Sequence, residues 1–168
     1  PEGVSVVRRG GETRADTVVN GLETLSGGAV FPASGSDWVM VHDAARPFVD
    51  PADIRKLRDE VLSAGHGAIL AMPMADTVKE ASPDRRILAT RDRKSLWRAA
   101  TPQAFRLSEL LSALRRGTEG VTDESSAMER TGHPVSVVPG STLNFKITTP
   151  DDALIAEAIA ESRLRKHP

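Results

Sequence analysis

Short apolar runs alternate along the chain with longer segments of helical spacing. Residues 38–41 are apolar without alternation, which predicts a strand that is covered on both faces, and residues 67–72 predict another strand. Residues 135–138 predict a third strand, and the valine-rich stretch 4–7 predicts a short one near the start. Residues 97–101 are expected to return to the same sheet.

Helix signals lie between these runs. Thr13, Asp50 and Thr149 are predicted N-caps, because their side-chain oxygens can accept hydrogen bonds from free backbone amides. Pro51 and Pro150 follow at first helical positions, where proline is favoured. The predicted helices span residues 14–25, 51–63, 107–115, 123–130 and 150–164. This alternation of strands and helices predicts an α/β fold with a largely parallel sheet.

A polar hairpin is predicted after the strand at 67–72. Residues 76–80 and 86–90 form its two strands around the turn 82–84. A two-stranded hairpin alone is marginally stable in water. We therefore expect residues 76–95 to project as an arm that packs on a second subunit.

Composition narrows the class of protein. The 168 residues, 39% hydrophobic and 27% charged, predict one folded domain over residues 1–168 rather than disorder. A net charge of −1 and 4% aromatic residues without tyrosine disfavour a nucleic-acid partner. The chain has no cysteine and no apolar run of membrane-spanning length. We expect a cytoplasmic protein with no membrane partner.

The most informative chemistry follows the strand at 38–41, in the string HDAARPF. In open α/β sheets, ligands bind just beyond the carboxyl ends of strands. Asp43 lies there and can hold a cation, while the Arg46 guanidinium can bind phosphate through two donors. Pro47 favours an extended Arg46 backbone. An isolated D-x-x-R is more often a surface ion pair at a turn.

Two weaker signals also suit phosphate. Gly10-Gly11 opens a helix, where free amides can bind an anion, although a simple tight turn is the better explanation of the glycines. Lys146 lies on the polar side of an alternating segment near the predicted sheet end, where it is either a phosphate ligand or solvated surface. Acids and bases at strand ends suit phosphate together with Mg²⁺.

Six motifs then occur in one collinear order: GGETRADTV, VHDAARPF, DTVK, RDRKSLWRAATPQAF, TDESSAME and NFKITTPDD. In this order they resemble the 2-C-methyl-D-erythritol 4-phosphate cytidylyltransferase family over essentially the whole chain. The resemblance implies a three-layer α/β/α, Rossmann-like nucleotidyltransferase fold with an arm that forms a homodimer. It also implies a reaction of CTP with methylerythritol phosphate, assisted by Mg²⁺, that gives a CDP-alcohol and pyrophosphate.

The same resemblance implies a role for individual residues. Gly11 and Thr17 would contact the cytidine part, and Asp43 would lie near the ribose and the metal. Arg46, Thr77 and Thr101 would line the methylerythritol phosphate pocket. Lys146 would hold the attacking phosphate. Thr77 and Arg93 lie on or beside the arm and would reach the partner subunit's pocket.

One part of the family pattern is missing. Family members carry a glycine-rich loop, an arginine and a Pro-Lys pair before the matching region, and nothing here corresponds to them. We therefore expect the sequence to be N-terminally incomplete, and this polypeptide alone to be inactive and poorly stable. The alternatives are a ribitol-5-phosphate cytidylyltransferase on the same scaffold, or a non-catalytic dimerisation module.

Overall fold

The computed structural model describes residues 3–28 and 31–166. Within them the α-helices are α1 (Arg14–Ser26), α2 (Pro51–Ala64), α3 (Leu107–Arg115), α4 (Glu124–Arg130) and α5 (Pro150–Lys166). The strands are β1 (Trp38–Val41), β2 (Gly67–Pro73), β3 (Val78–Ala81), β4 (Ile87–Arg91), β5 (Trp97–Arg106) and β6 (Val135–Pro139).

The helices begin where their capping residues predict. The Thr13 side chain accepts a hydrogen bond from Asp16 N at 3.1 Å, and the Asp16 carboxylate accepts one from Thr13 N at 3.1 Å. Asp50 caps α2 by accepting from Ala52 N at 2.7 Å. α5 begins at Pro150, as predicted. In the described ranges, no helix combines the length and the apolarity needed to cross a membrane.

The central sheet has four strands in the order β1-β5-β2-β6. β2 and β6 pair in parallel, whereas β5 is antiparallel to both β1 and β2. Three strands therefore share one direction, but two of the three pairings are antiparallel. The reason is the connection between β2 and β5, which is a hairpin rather than the crossover helix that parallel neighbours need.

Alternate residues of β2 pack on opposite faces of the sheet. Ile69 and Ala71 contact the core beneath α1, α3 and α4, while Ala68 and Leu70 contact the core beneath α2. Helices thus cover both faces, which confirms the predicted α/β/α layers. It also explains why the run at 67–72 is apolar without alternation.

Several details differ from prediction, each because a strand depends on its neighbours. Residues 4–7 form no strand, and Val6 is 88% exposed, because none of the described strands pairs with them. β1 lies at an edge of the described sheet, and its Met40 is 38% exposed, so one of its faces is not covered as predicted. β5 continues beyond residue 101 to Arg106 because residues 100–105 are buried. Residues 144–148 follow the sheet without joining it.

The predicted arm is present as a separate two-stranded sheet. β3 pairs antiparallel with β4, and neither strand pairs with the central sheet. Ile87 and Leu88 are 66% and 63% exposed on it. Its role in dimer formation stays a prediction.

A buried carboxylate ties α2 to the segment after β6. Asp53 accepts hydrogen bonds from Ser141 N at 2.7 Å and from Lys56 Nζ at 2.9 Å. Burial raises the pKa of Asp53, but the bonds from Lys56 and Ser141 outweigh it and hold the pKa below its ordinary value. This contact anchors the start of the loop that carries Lys146.

We predict that Asp53→Asn lowers the free energy of unfolding by about 1–3 kcal/mol at neutral pH, because it weakens buried, charge-assisted hydrogen bonds. The folded-state pKa lies below the unfolded value of about 3.9, so the contribution is fully present above that pH. It is lost as the pH falls through the folded pKa, and the difference from wild type should shrink in acid. Urea denaturation at several pH values measures this.

The matched control is Asp59→Asn on the same helix, whose side chain is exposed. It should change stability by less than about 0.5 kcal/mol. Equal losses in both variants would show that the Asp53 contacts do not anchor the loop.

Candidate active site

The register between β1 and β5 brings the first site residues together. Val41 lies opposite Gln103 in this antiparallel pair, so continuing the ladder places Asp43 beside Thr101. Asp43 N donates a hydrogen bond to Thr101 Oγ1 at 2.9 Å. Both residues lie at the carboxyl end of β1, where ligands bind in open α/β sheets.

The loop after β6 closes over this sheet end through a buried asparagine. Asn144 is fully buried, and its Nδ2 donates to Thr101 O at 2.8 Å. The backbone carbonyl of Asn144 accepts a hydrogen bond from Arg46 Nη1 at 2.8 Å. The loop after β1 and the loop after β6 therefore position each other.

Lys146 reaches Asp43 through the same pair of loops. Ile147 N donates to Ala45 O at 2.9 Å, which holds the two backbones side by side. Lys146 Nζ then lies 3.2 Å from Asp43 Oδ2. The lysine that the sequence suggested as a phosphate ligand is thus close to the predicted strand-end acid.

Arg14, in the first turn of α1, completes the cluster. Its Nε donates to Asp43 Oδ1 at 3.0 Å, and its Nη1 and Nη2 donate to the two carboxylate oxygens of Glu124 at 2.7 and 3.0 Å. Sequence reasoning did not select either Arg14 or Glu124. One signal was available, because a cation at a helix N-terminus is disfavoured by the helix dipole and needs an acid nearby.

Asp43 is a stable carboxylate in this setting. Burial raises its pKa, but hydrogen bonds and positive charge from Arg14 and Lys146 outweigh burial and hold the pKa below its ordinary value. The pKa of Arg14 is raised, chiefly by its hydrogen bond to Glu124. Both groups are therefore charged at neutral pH.

Arg46 is less completely neutralised. Burial lowers its pKa, and repulsion from Arg98 and Arg14 adds to burial against the attraction of Asp43. Arg46 Nε lies 3.7 Å from Asp43 Oδ2, and it has no hydrogen-bond partner among the described residues. An anion bound beside Arg46 would relieve this excess of positive charge.

Two clefts meet at the cluster. The α1 cleft, of about 310 Å³, has Thr17, Val18 and Val41 in its lining. The β5 cleft, of about 240 Å³, has Arg46, Thr101 and Gln103 in its lining. Three residues belong to both linings, namely Arg14, Asp43 and Lys146. These charged residues lie where the two clefts adjoin.

A larger cavity of about 610 Å³ lies elsewhere, between the ends of α3 and α4. Arg116 and Arg130 line it, at helix C-termini where the dipole already attracts cations. None of the predicted site residues lines it. The chemistry therefore identifies the two smaller clefts as the candidate site.

The glycine and threonine predicted for nucleotide binding lie together at the start of α1. Gly11 N donates to Thr17 Oγ1 at 3.0 Å. A Cβ on Gly11 would lie 2.4 Å from Asp16 Cβ, so close approach to the helix requires glycine. Thr17 lines the α1 cleft and Gly11 supports it.

The two arm residues are not brought to this cluster. Thr77 is exposed just before β3, and Arg93 donates a hydrogen bond to Ala75 O within the arm. Neither residue lines the α1 cleft or the β5 cleft. Within the described residues, Thr77 and Arg93 therefore lie outside the candidate site.

A metal site built only from protein side chains is not present in residues 3–28 and 31–166, where no three histidine or carboxylate groups cluster suitably. Asp43 is a carboxylate in both cleft linings. Mg²⁺ commonly uses one or two carboxylates and completes its coordination with water and substrate phosphates. The donor set therefore fits a metal ion shared with a bound phosphate, not a closed metal cage.

Comparison with known proteins gives a consistent result. The family described as IspD, 2-C-methyl-D-erythritol 4-phosphate cytidylyltransferase, matches residues 2–162. A protein of that name from Nitrosomonas eutropha is 41% identical, with 95% of this chain and 68% of the relative covered. One from Paraburkholderia phymatum is 48% identical, with 92% and 66% covered.

Solved structures agree. A crystal structure of a 4-diphosphocytidyl-2C-methyl-D-erythritol synthase superimposes with a TM-score of 0.81 at 40% identity, over 90% of this chain and 68% of that one. The chain thus spans about two thirds of the length of these relatives.

Proposed function

The chain belongs to the 2-C-methyl-D-erythritol 4-phosphate cytidylyltransferase family, and from that membership we propose the activity of the full-length protein. It transfers CMP from CTP to 2-C-methyl-D-erythritol 4-phosphate, giving 4-diphosphocytidyl-2-C-methyl-D-erythritol and pyrophosphate in isoprenoid precursor synthesis. The observation that carries this proposal is the pair of clefts joined by Arg14, Asp43 and Lys146. A two-substrate transfer between phosphates needs two adjacent spaces with cations at their boundary.

The reaction requires an in-line displacement at phosphorus. A phosphate oxygen of methylerythritol phosphate forms a bond to the α-phosphorus of CTP, and the bond from that phosphorus to the β-phosphate oxygen breaks. Pyrophosphate leaves with that oxygen. Catalysis is then largely positioning and neutralisation of phosphate charge.

Each cleft suits one reactant. We place the nucleotide in the α1 cleft, beside Thr17 and the helix start supported by Gly11. The methylerythritol phosphate lies in the β5 cleft, with Arg46 and Thr101 around its phosphate. Lys146 is at the boundary, where its ammonium can hold the attacking phosphate next to the nucleotide.

Asp43 serves the nucleotide side, near the ribose and the metal. Its depressed pKa keeps the carboxylate ionised, which suits a hard cation. Asp43 would hold a bound Mg²⁺, which would supply positive charge against the phosphate groups. Asp43 is also the acceptor for Arg14 and Lys146 before ligands bind.

We propose that the arm makes a homodimer and completes the site of the partner subunit. Its exposed Ile87 and Leu88 supply apolar surface for such a contact. Thr77 and Arg93 would then reach the β5 cleft of the second subunit. A cytoplasmic location is part of the same proposal and rests on composition.

Two other functions compete. A ribitol-5-phosphate cytidylyltransferase would use the same strand-end acid and bases with a different sugar-alcohol phosphate. A non-catalytic dimerisation module would keep the arm without transferring a nucleotide. We rank both lower because of the match to the TPQ, TDES and FKIT motifs.

We predict that the full-length protein releases pyrophosphate from CTP when methylerythritol phosphate is supplied, and much less when ribitol 5-phosphate replaces it. Pyrophosphate release, coupled to an inorganic pyrophosphatase and phosphate detection, measures the rate. A preference for ribitol 5-phosphate would select the first alternative. No release with either substrate would select the non-catalytic module.

We predict that Lys146→Ala lowers kcat about 100- to 1000-fold, because it removes a cation that stabilises charge at the reacting phosphates. The fold should be intact, since the exposed ammonium is not a core contact. Arg58→Ala, which removes an exposed cation from α2, is the control and should retain wild-type kcat. Wild-type turnover in Lys146→Ala would refute the assigned role.

We also predict complementation across the dimer. Subunits carrying Arg93→Ala and subunits carrying Lys146→Ala should be inactive separately but active when mixed, because each heterodimer regains one intact site. Random exchange of equal amounts would restore about a quarter of wild-type activity. No recovery, with subunit exchange verified by mass spectrometry, would place Arg93 outside the partner's site.

A further inference from the structure

Glu124 is a buried carboxylate that no proposed role yet explains. It is 1% exposed, and both of its oxygens accept hydrogen bonds from the Arg14 guanidinium, at 2.7 and 3.0 Å. A buried carboxylate is costly unless it is paired in such a geometry. The pair joins the first residue of α4 to the first residue of α1.

The position of Glu124 is fixed from both sides. Asp123, the N-cap of α4, accepts a hydrogen bond from Gln103 Nε2 at 2.8 Å. Ser125 N donates to Gln103 Oε1 at 2.9 Å. Gln103 is buried in β5, so the residues before and after Glu124 are both tied to the central sheet. Glu124 is therefore a rigid acceptor.

This acceptor determines where Arg14 points. A guanidinium is planar, and two parallel bonds along one edge fix its orientation. With Glu124 on the Nη1–Nη2 edge, Arg14 Nε faces Asp43 Oδ1 at 3.0 Å and Nη2 approaches the same oxygen at 2.9 Å. The alignment of Glu124 with Arg14 thus decides which oxygen of Asp43 is held.

The second oxygen of Asp43 has a different environment. Oδ2 lies 3.2 Å from Lys146 Nζ and 3.7 Å from Arg46 Nε. The two side chains are similarly exposed, 42% for Lys146 and 37% for Arg14, but Lys146 pairs with one carboxylate and Arg14 with two, so Lys146 can more easily leave for a phosphate. Oδ1 is therefore the fixed oxygen and Oδ2 the exchangeable one.

We propose that Glu124 is a positioning residue of the transfer reaction, a role that rests on the function proposed above. By fixing Arg14, it holds Oδ1 of Asp43 and leaves Lys146 free to exchange Oδ2 for an incoming phosphate. Glu124 contacts neither substrate. Its effect on the reaction passes through Arg14 and Asp43.

Glu124→Gln tests this role in the full-length protein. It retains the shape of the side chain but removes the charge and one acceptor. We expect kcat to fall about 10- to 100-fold, as for partners that orient ligating groups. Glu129→Gln on the exposed side of the same helix is the matched control and should behave as wild type.

If the ion pair were purely structural, its loss in Glu124→Gln would lower the melting temperature but would not change kcat at temperatures where the protein is folded. Two further variants separate the possibilities, Arg14→Gln and the double variant with Glu124→Gln. If Glu124 acts through Arg14, the double variant loses no more kcat than Arg14→Gln alone. The double variant should also be more stable than Arg14→Gln, which leaves a buried carboxylate unpaired. Independent, multiplying losses of kcat would overturn the proposal.

A second measurement does not need turnover. Hydrogen exchange of the Arg14 Nε–H, followed by NMR, reports its bond to Asp43. It should accelerate at least about tenfold in Glu124→Gln and stay unchanged in Glu129→Gln. Unchanged protection in Glu124→Gln would overturn the positioning role even if the transferase is active. If the wild-type protein transfers no CMP but exchange still accelerates in Glu124→Gln, the proposed function is refuted and the positioning of Arg14 is established.

Discussion

The balance of charge around Asp43 is the constraint on which the site depends. Its carboxylate lies within ion-pair distance of three cations, Arg14, Arg46 and Lys146. Such cations repel one another in a partly desolvated setting, and Asp43 with Glu124 offsets only two of the three charges. The site is thus assembled with a remaining demand for negative charge. Phosphate groups suit that demand, because each carries negative charge.

Much of the fold could be predicted because its signals are local. The caps at Thr13 and Asp50 and the apolar run at 67–72 specify helix starts and a buried strand within a few residues of sequence. Which strands pair with each other, in contrast, is not specified by a local stretch of sequence. Whether residues 4–7 pair, or whether β1 is central or at an edge, depends on which strand lies beside them. β5 is antiparallel to its neighbours because the chain returns to the sheet directly after the arm. Apolar patterning does not indicate the direction of a strand.

The site residues also divide into those with a local sequence signal and those without one. Asp43, Arg46 and Lys146 follow strands or precede a helix, so general rules on strand ends and a specific motif both select them. Arg14 and Glu124 are 110 positions apart in the sequence, and each alone resembles an ordinary helix residue. Only the tertiary structure shows that they form one ion pair against Asp43. Thr77 and Arg93 are the converse case, since the motif selects them while the single chain keeps them away from both clefts.

The site therefore combines fixed and movable charges. Asn144 and Asp53 anchor the loop around Lys146 through buried hydrogen bonds, at its middle and at its start. The lysine itself extends from that anchored backbone on a flexible, half-exposed side chain. Arg14 is instead held at both edges of its guanidinium. Because positioning costs conformational entropy, anchoring the backbone in advance leaves only one side chain to be ordered when phosphate binds. In the proposed mechanism, this division would let Lys146 exchange Asp43 for a substrate phosphate while the remainder of the boundary between the clefts keeps its geometry.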